Sequence, residues 1–283
     1  MKKAFIKIMA LAIISTLVLA VSGCKETKDG SVIHTVDFKI SYTVGGEAAS
    51  IDSTLTLYET FAPDTTERVL SLINGGYYND TVITLSKQAS YAVVGGFTEG
   101  YQAKNYDGES IRGEFTQNGL RSELVVQAGA LVMLRDFDID SGDAKYDTAK
   151  ATFAIVLNNN GEFNANEYCV FGYIDSDSLE TLKEALEDNA KNDKDYVHMR
   201  YAGNRVNGVP SYANGGFDYY VDKDGNYCKM VGGDIVEMEH AQEGDEDYDT
   251  VEVIKDSDNV QDIYTLPAIT FKVSACVNSG CKR

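Results

Sequence analysis

Asp107-Gly108-Glu109-Ser110-Ile111-Arg112-Gly113-Glu114-Phe115 is the stretch whose reading decides the fold. Upstream of it lie Gly76-Tyr77-Tyr78-Asn79-Asp80-Thr81 and then Gly95-Gly96. Downstream lie Gly129-Ala130-Leu131-Val132-Met133 and Val170-Phe171-Gly172. None of these glycine-aromatic blocks is specific alone; their order and spacing are specific jointly. The segments around them are β-rich. From His34 to Thr43 the chain alternates, with Val36, Phe38, Ile40 and Tyr42 on one side, which predicts a half-buried strand. Gly45-Gly46 marks a turn, and Leu55 and Leu57 alternate inward over the next strand, 53–58.

A helix opens at Ala62-Pro63-Asp64, where proline suits the first turn and the acid suits the positive end of the helix dipole. Val69, Leu72 and Ile73 share one face, and Asn74-Gly75-Gly76 stops it. Further strands are expected at 81–85, 91–97, 123–127, 130–134, 151–157 and 168–174, and a second helix at 178–189 with Leu179, Leu182 and Leu186 buried. A last strand is expected at 268–273, after Pro267.

Strand, strand, helix, Gly-Tyr-Tyr and the later blocks together resemble the cyclophilin-type peptidyl-prolyl isomerases. The resemblance covers residues 34–190 plus 265–275. It implies a mainly β fold, a closed β-barrel of about eight strands capped by two helices, and a proline-containing polypeptide as ligand. In cyclophilins a short connection joins the second helix to the last strand; here residues 191–264 intervene as an insertion. It contains a hairpin signal, Asp222-Lys223-Asp224-Gly225 between the alternating runs 217–221 and 227–231, followed by an acidic run at 237–258. Residues 276–283 read as a C-terminal tail.

Isomerisation of an X-Pro bond needs no nucleophile and no metal. The barrier is rotation about a partly double C–N bond, about 18–20 kcal/mol. An enzyme lowers it with an apolar pocket and a hydrogen bond donated to the prolyl nitrogen, which cyclophilins supply from an arginine. The matching segment here, Ile83-Thr84-Leu85-Ser86-Lys87-Gln88-Ala89-Ser90-Tyr91-Ala92-Val93-Val94-Gly95-Gly96-Phe97, has no arginine. The resemblance places that position on Leu85 or Ser86, the family's glutamine on Val94 and an aromatic on Tyr91. Lys87 is close, but an ammonium does not replace a planar guanidinium. Phe153 keeps the family's inner-core phenylalanine, while the pocket-floor phenylalanine has become Ala154. The family's tryptophan and histidine fall near Phe163 and on Tyr168, and the chain has no tryptophan. Loss of one preorganised donor typically costs about 3–4 kcal/mol of transition-state stabilisation. Isomerase activity is therefore expected to be weak or absent. Arg135, on a loop that borders the groove in cyclophilins, could reach inward; the other reading gives it a surface salt bridge. Tyr91, Arg135, Phe163 and Tyr168 are the groove candidates.

The N-terminus carries an address rather than fold. Lys2, Lys3 and Lys7 precede an apolar run, as in a secretory signal peptide. The run ends Val21-Ser22-Gly23-Cys24, which looks like a bacterial lipobox; an ordinary signal peptide or an uncleaved membrane helix is the alternative. On the lipobox reading residues 1–23 are removed, Cys24 is lipidated, 24–33 form a tether, and the protein is lipid-anchored and extracytoplasmic. The mature chain then has 22 basic against 44 acidic residues, a net charge of −22. That balance argues against nucleic acid and anionic headgroups as partners and leaves the lipid as the expected membrane contact.

Cys169, Cys228, Cys276 and Cys281 remain. Cys276 and Cys281 could close a small loop, but four cysteines allow three connectivities. His34, His198, His240 and Cys228 have no ligand spacing, and Asp222, Asp224 and Asn226 lack the glycine and glutamate of a calcium loop, so no metal and no cofactor are expected. Two classes of function stay open: a peptidyl-prolyl isomerase assisting exported proteins, or a non-catalytic module that binds polypeptide through the groove or the insertion.

Overall fold

Alternation builds the first hairpin. A short strand β1 (Cys24–Glu26) pairs antiparallel with the start of β2 (Val32–Val44), and β2 turns back as β3 (Glu47–Tyr58). The structure, a computed structural model, describes residues 24–26, 31–86, 89–99, 104, 106–120, 123–136, 145–158, 161, 163–190, 197–200, 219–221, 226–231, 234–237, 261–265 and 270–278. Val36, Phe38 and Ile40 on β2 and Ile51, Leu55 and Leu57 on β3 bury on one face, as a period of two requires. Gly45 and Gly46 form the two-residue turn at φ +59° and +89°, a conformation that glycine adopts without steric cost. The expected tether is thus strand-paired at 24–26 and again from Val32.

Helix α1 (Pro63–Asn74) begins on proline after Ala62, which offers no capping side chain. Glu114, from the deciding stretch, does that work. Its carboxylate accepts the N–H groups of Asp64 at 2.9 Å and Thr65 at 2.8 Å, so two of the orphan donors of the first turn are satisfied from 50 residues away. Val69, Leu72 and Ile73 are buried, as expected.

The remaining strands are β4 (Thr81–Ser86), β5 (Tyr91–Thr98), β6 (Ala130–Met133), β7 (Phe153–Val156) and β8 (Val170–Ile174), followed by α2 (Ser176–Ala190). Leu179, Leu182 and Leu186 of α2 are buried. After the helix come β9 (Val197–Arg200), β10 (Tyr219–Val221), β11 (Tyr227–Val231), β12 (Asp234–Glu237), β13 (Gln261–Thr265) and β14 (Lys272–Val277). Eight strands close a cylinder in the order β2-β3-β8-β6-β7-β5-β4-β14, with β14 pairing both β4 and β2. Side chains fill the interior, as in other eight-stranded barrels, here Phe38, Ile83, Leu85, Met133, Phe153, Ile155 and Phe171 among others. The expected barrel and its two helices are present.

Three expectations change. Residues 123–127 are not a strand: the Val125 N–H and C=O both bond the Tyr173 hydroxyl, at 3.0 Å each, and so take no place in a ladder. The last strand runs Lys272–Val277 rather than 268–273, because the buried alternation of Phe271, Val273, Ala275 and Val277 continues past Cys276. Cys276 therefore sits in the barrel wall and not in a tail. The insertion is more than a hairpin. β10 and β11 do pair, Tyr220 opposite Cys228, but β9, β12 and β13 extend them into one sheet. β13 joins that sheet to the end of β4, with Tyr264 opposite Ser86 and Thr265 opposite Leu85.

Cys276 is disulfide-bonded, Cys169 is a free and buried thiol, and Cys228 is buried. The leader 1–23, Lys87, the acidic residues 238–258 and Cys281 lie outside the described residues, and of Cys24 only the strand position is described.

Candidate peptide-binding groove

β4 divides its residues by parity. Ile83 and Leu85 point into the barrel, while Val82 belongs to a second apolar cluster on the outer face. Thr84 and Ser86 share the parity of Val82, and both are buried. Of the two positions that the resemblance offered for the arginine, Leu85 is inside the cylinder and only Ser86 is on the outer side. Ser86 is already committed. Its Oγ shares a hydrogen bond with Ser90 Oγ at 2.8 Å and accepts the N–H groups of Ser90 at 2.8 Å and Tyr91 at 3.3 Å, which ties the turn between β4 and β5. Thr84 Oγ1 is buried with no hydrogen-bond partner among the described residues.

The same parity decides β5. Tyr91 and Val93 face the outer cluster, and Ala92 and Val94 face the interior. The family's glutamine position, read onto Val94, therefore lies inside the barrel, and Val93 is the residue on the groove side. The outer side keeps one parity along β5, through Tyr91, Val93 and Phe97, across a register irregularity against β4 between Val82 and Thr84. Gly95 has φ +86°, and a Cβ there would lie 2.8 Å from the Tyr78 ring. Tyr78 in turn donates its hydroxyl to Ala151 O at 2.8 Å. On β7, Phe153 is interior and Ala154 exterior, as expected.

All four groove candidates come together. The Tyr91 and Phe163 ring centroids are 4.8 Å apart, and Phe163 and Tyr168 meet edge to face at 5.1 Å. The Arg135 guanidinium lies 4.1 Å from the centroid of Tyr168 and 5.1 Å from that of Tyr146. Arg135 is only 5 % exposed. It donates from Nε to Glu167 O at 3.0 Å and from Nη1 to Asp136 O at 3.3 Å, and Nη2 lies 3.7 Å from the Glu167 carboxylate. The ion pair is real, but Arg135 is buried and not on the surface, and its nitrogens are occupied. Tyr146, Glu167 and Val93 were not singled out from sequence. Tyr146 and Glu167 lie in segments without a recognisable block, and Val93 was hidden by the one-residue shift.

This outer face is filled by its own side chains. Val93, Val132, Ala154 and Val170 are at most 1 % exposed, and Tyr91 and Phe163 at most 9 %. A cavity of about 800 Å³ opens elsewhere, over the polar outer side of β2, β3 and β14 with Asp37, Lys39, Asp52 and Ser274 on its wall. It has no aromatic cage, so the outer cluster remains the better candidate for a prolyl ligand.

The family model described as cyclophilin type peptidyl-prolyl cis-trans isomerase/CLD matches residues 47–202, more than half of the 283 residues. The chain belongs to the cyclophilin family. Similar solved structures include a cyclophilin-type isomerase of Cryptosporidium parvum in the presence of the dipeptide Ala-Pro, at 20 % identity and TM-score 0.36, covering 51 % of this chain and 84 % of that one. The same Cryptosporidium parvum protein in a second structure gives 21 % identity, TM-score 0.39 and coverage of 53 % and 84 %. Mimivirus cyclophilin gives 18 % identity, TM-score 0.36 and coverage of 63 % and 85 %. No curated protein matches. The barrel frame of the family is present, and the outer side of β5 and β7 carries an aromatic row of Tyr91, Phe163 and Tyr168.

Proposed function

We propose that this cyclophilin is a lipid-anchored extracytoplasmic protein that binds proline-containing polypeptides and isomerises them weakly or not at all. One observation carries the reading. On the outer face of β4 stand Thr84 and Ser86, the first buried without a partner and the second consumed by its own turn. Neither can aim a cationic donor at a prolyl nitrogen. The buried Arg135 guanidinium is held by hydrogen bonds to Glu167 O and Asp136 O and by the Glu167 carboxylate. The lipobox at Val21-Ser22-Gly23-Cys24 supports the anchor.

The test is exchange NMR on an Ala-Pro-containing peptide with the mature protein. Expected is binding-induced broadening with cis/trans exchange no faster than with heat-treated protein. Exchange well above that control, and abolished by Arg135→Ala, gives the protein a catalytic guanidinium and overturns the reading.

A second reading places the polypeptide on the insertion. It is favoured by β13, which extends β4 directly beside Ser86.

A further inference from the structure

The short strand β1 fixes where the anchor leaves the barrel. Its register sets Cys24 opposite His34, Lys25 opposite Ile33 and Glu26 opposite Val32. Ile33 in turn pairs with Tyr58 on β3. Lys25, Ile33 and Tyr58 thus stand in one row across three strands, a span of about 10 Å at ordinary strand spacing. The attachment point is held at one end of the first hairpin.

An aromatic patch begins in that row. The Tyr58 centroid lies 6.2 Å from that of Phe61 and 6.0 Å from that of Tyr173. All three rings are only partly buried. Beside them is Val125, at 57 % the most exposed large apolar side chain among those described. The Val125 N–H and C=O are both taken by the Tyr173 hydroxyl. This stretch can therefore leave water without orphaning those main-chain groups. The turn that carries Phe61 is latched to the anchored hairpin twice, by Thr60 Oγ1 accepting the Val32 N–H at 2.7 Å and by His34 bonded to Glu59.

We propose that Tyr58, Phe61, Val125 and Tyr173 form a membrane-seated rim, resting in the interfacial zone of the bilayer that holds the Cys24 lipid. The occupant is phospholipid, chosen because the anchor emerges two strand steps from the patch and because amphipathic tyrosines suit the headgroup boundary. Net acidity makes a zwitterionic surface the better match. Tyr58, Phe61 and Tyr173 pack against the outer cluster that includes Tyr91, Val132 and Val170, so the seated rim borders that cluster. The proposal rests on the lipid-anchor reading.

The chain has no tryptophan, so one introduced residue reports alone. The full chain is produced with its leader, and the lipidated protein is placed in phosphatidylcholine vesicles carrying doxyl-labelled lipid. Val125→Trp is the reporter; Val44→Trp, at the far turn of the β2–β3 hairpin, is the control, about 35 Å along the strand from Ile33. Expected is blue-shifted, quenched emission from the Val125→Trp protein and unquenched, water-like emission from the control. Lipidated protein that enters vesicles with equal, unquenched emission from both variants overturns the proposal while the anchor reading survives. Mature protein without a lipid, shown by its mass, overturns both. Emission that responds to an Ala-Pro-containing peptide but not to vesicles assigns the patch to a polypeptide and also overturns it.

Discussion

The Arg135 guanidinium lies 4.1 Å from the centre of the Tyr168 ring, and this contact joins the aromatic row to the loop that follows β6. Its worth combines a cation–π term, about 2 kcal/mol when desolvated, with charge-assisted hydrogen bonds to Glu167 and Asp136. Arg135→Ala is expected to lower stability by about 2–4 kcal/mol. Arg135→Lys recovers less than half of the loss, because an ammonium cannot stack as a plane. Urea unfolding of both variants measures this. A loss within error for Arg135→Ala contradicts a structural role for the stack.

Ala154 is fully buried between Val93 and Val132 on the outer face. Restoring the family's phenylalanine there is expected to overpack the site and cost about 1–3 kcal/mol. Thermal unfolding of Ala154→Phe checks it. A neutral or stabilising result means that an open proline cavity exists at this point.

Glu114 caps α1 with two bonds, so Glu114→Ala leaves the Asp64 and Thr65 N–H groups without their acceptor. The expected loss is about 2 kcal/mol or more, at the upper end of capping effects because Glu114 is buried. Hydrogen exchange should speed selectively in the first turn of α1. Unchanged protection at Asp64 and Thr65 refutes the capping role.

Asp175 stands before α2. Burial alone would raise its carboxyl pKa, but the N–H groups of Thr54 and Ser178 bond the ionised form and hold it below the ordinary value of 3.8. A depressed folded-state pKa contributes stability that is present above the unfolded pKa and is lost as pH falls through the folded one. Asp175→Asn keeps one acceptor oxygen but loses the charge and one of the two bonds, so its stability difference from wild type should be full at pH 7, about 1 kcal/mol, and shrink below about pH 4. Urea midpoints across pH measure it; a difference that grows on acidification has the wrong sign.

Burial pushes the Cys169 thiol up to about 12 from 9.0, beside Thr65 and the Glu114 carboxylate. The folded thiol stays protonated where an unfolded one ionises, so it costs stability as pH climbs from about 9 towards 12. In the native state at pH 8, iodoacetamide should leave Cys169 unmodified, and in urea it should alkylate it. Peptide mass spectrometry distinguishes the two, and rapid native labelling contradicts the buried setting.

Much of the barrel was legible because period-two burial and glycine turns are local signals. β2, β3 and both helices follow from the side chains of Val36, Leu55, Val69 and Leu182. What was not legible depends on partners remote in sequence. The capping of α1 by Glu114, the stacking of Arg135 on Tyr146 and the loss of 123–127 from the sheet to Tyr173 are each made by residues tens of positions away or in unpatterned loops. The four groove candidates were legible as neighbours, since Tyr91, Phe163, Tyr168 and Arg135 do meet. The facing of β5 was read one residue off at Val94, because in an all-apolar run such as Tyr91–Val94 only packing across the barrel tells the inner side from the outer.

The junction at which Tyr264 and Thr265 pair with Ser86 and Leu85 makes the insertion a continuation of the barrel's own hydrogen-bond ladder. Trimming the chain back to a minimal isomerase-sized unit would strip that cover from β4 and leave bare strand-edge donors and acceptors beside the groove. The shortened protein would be a self-associating one. The added strands are thus a shield against aggregation as much as an embellishment, and dissection of this protein into modules should cut elsewhere.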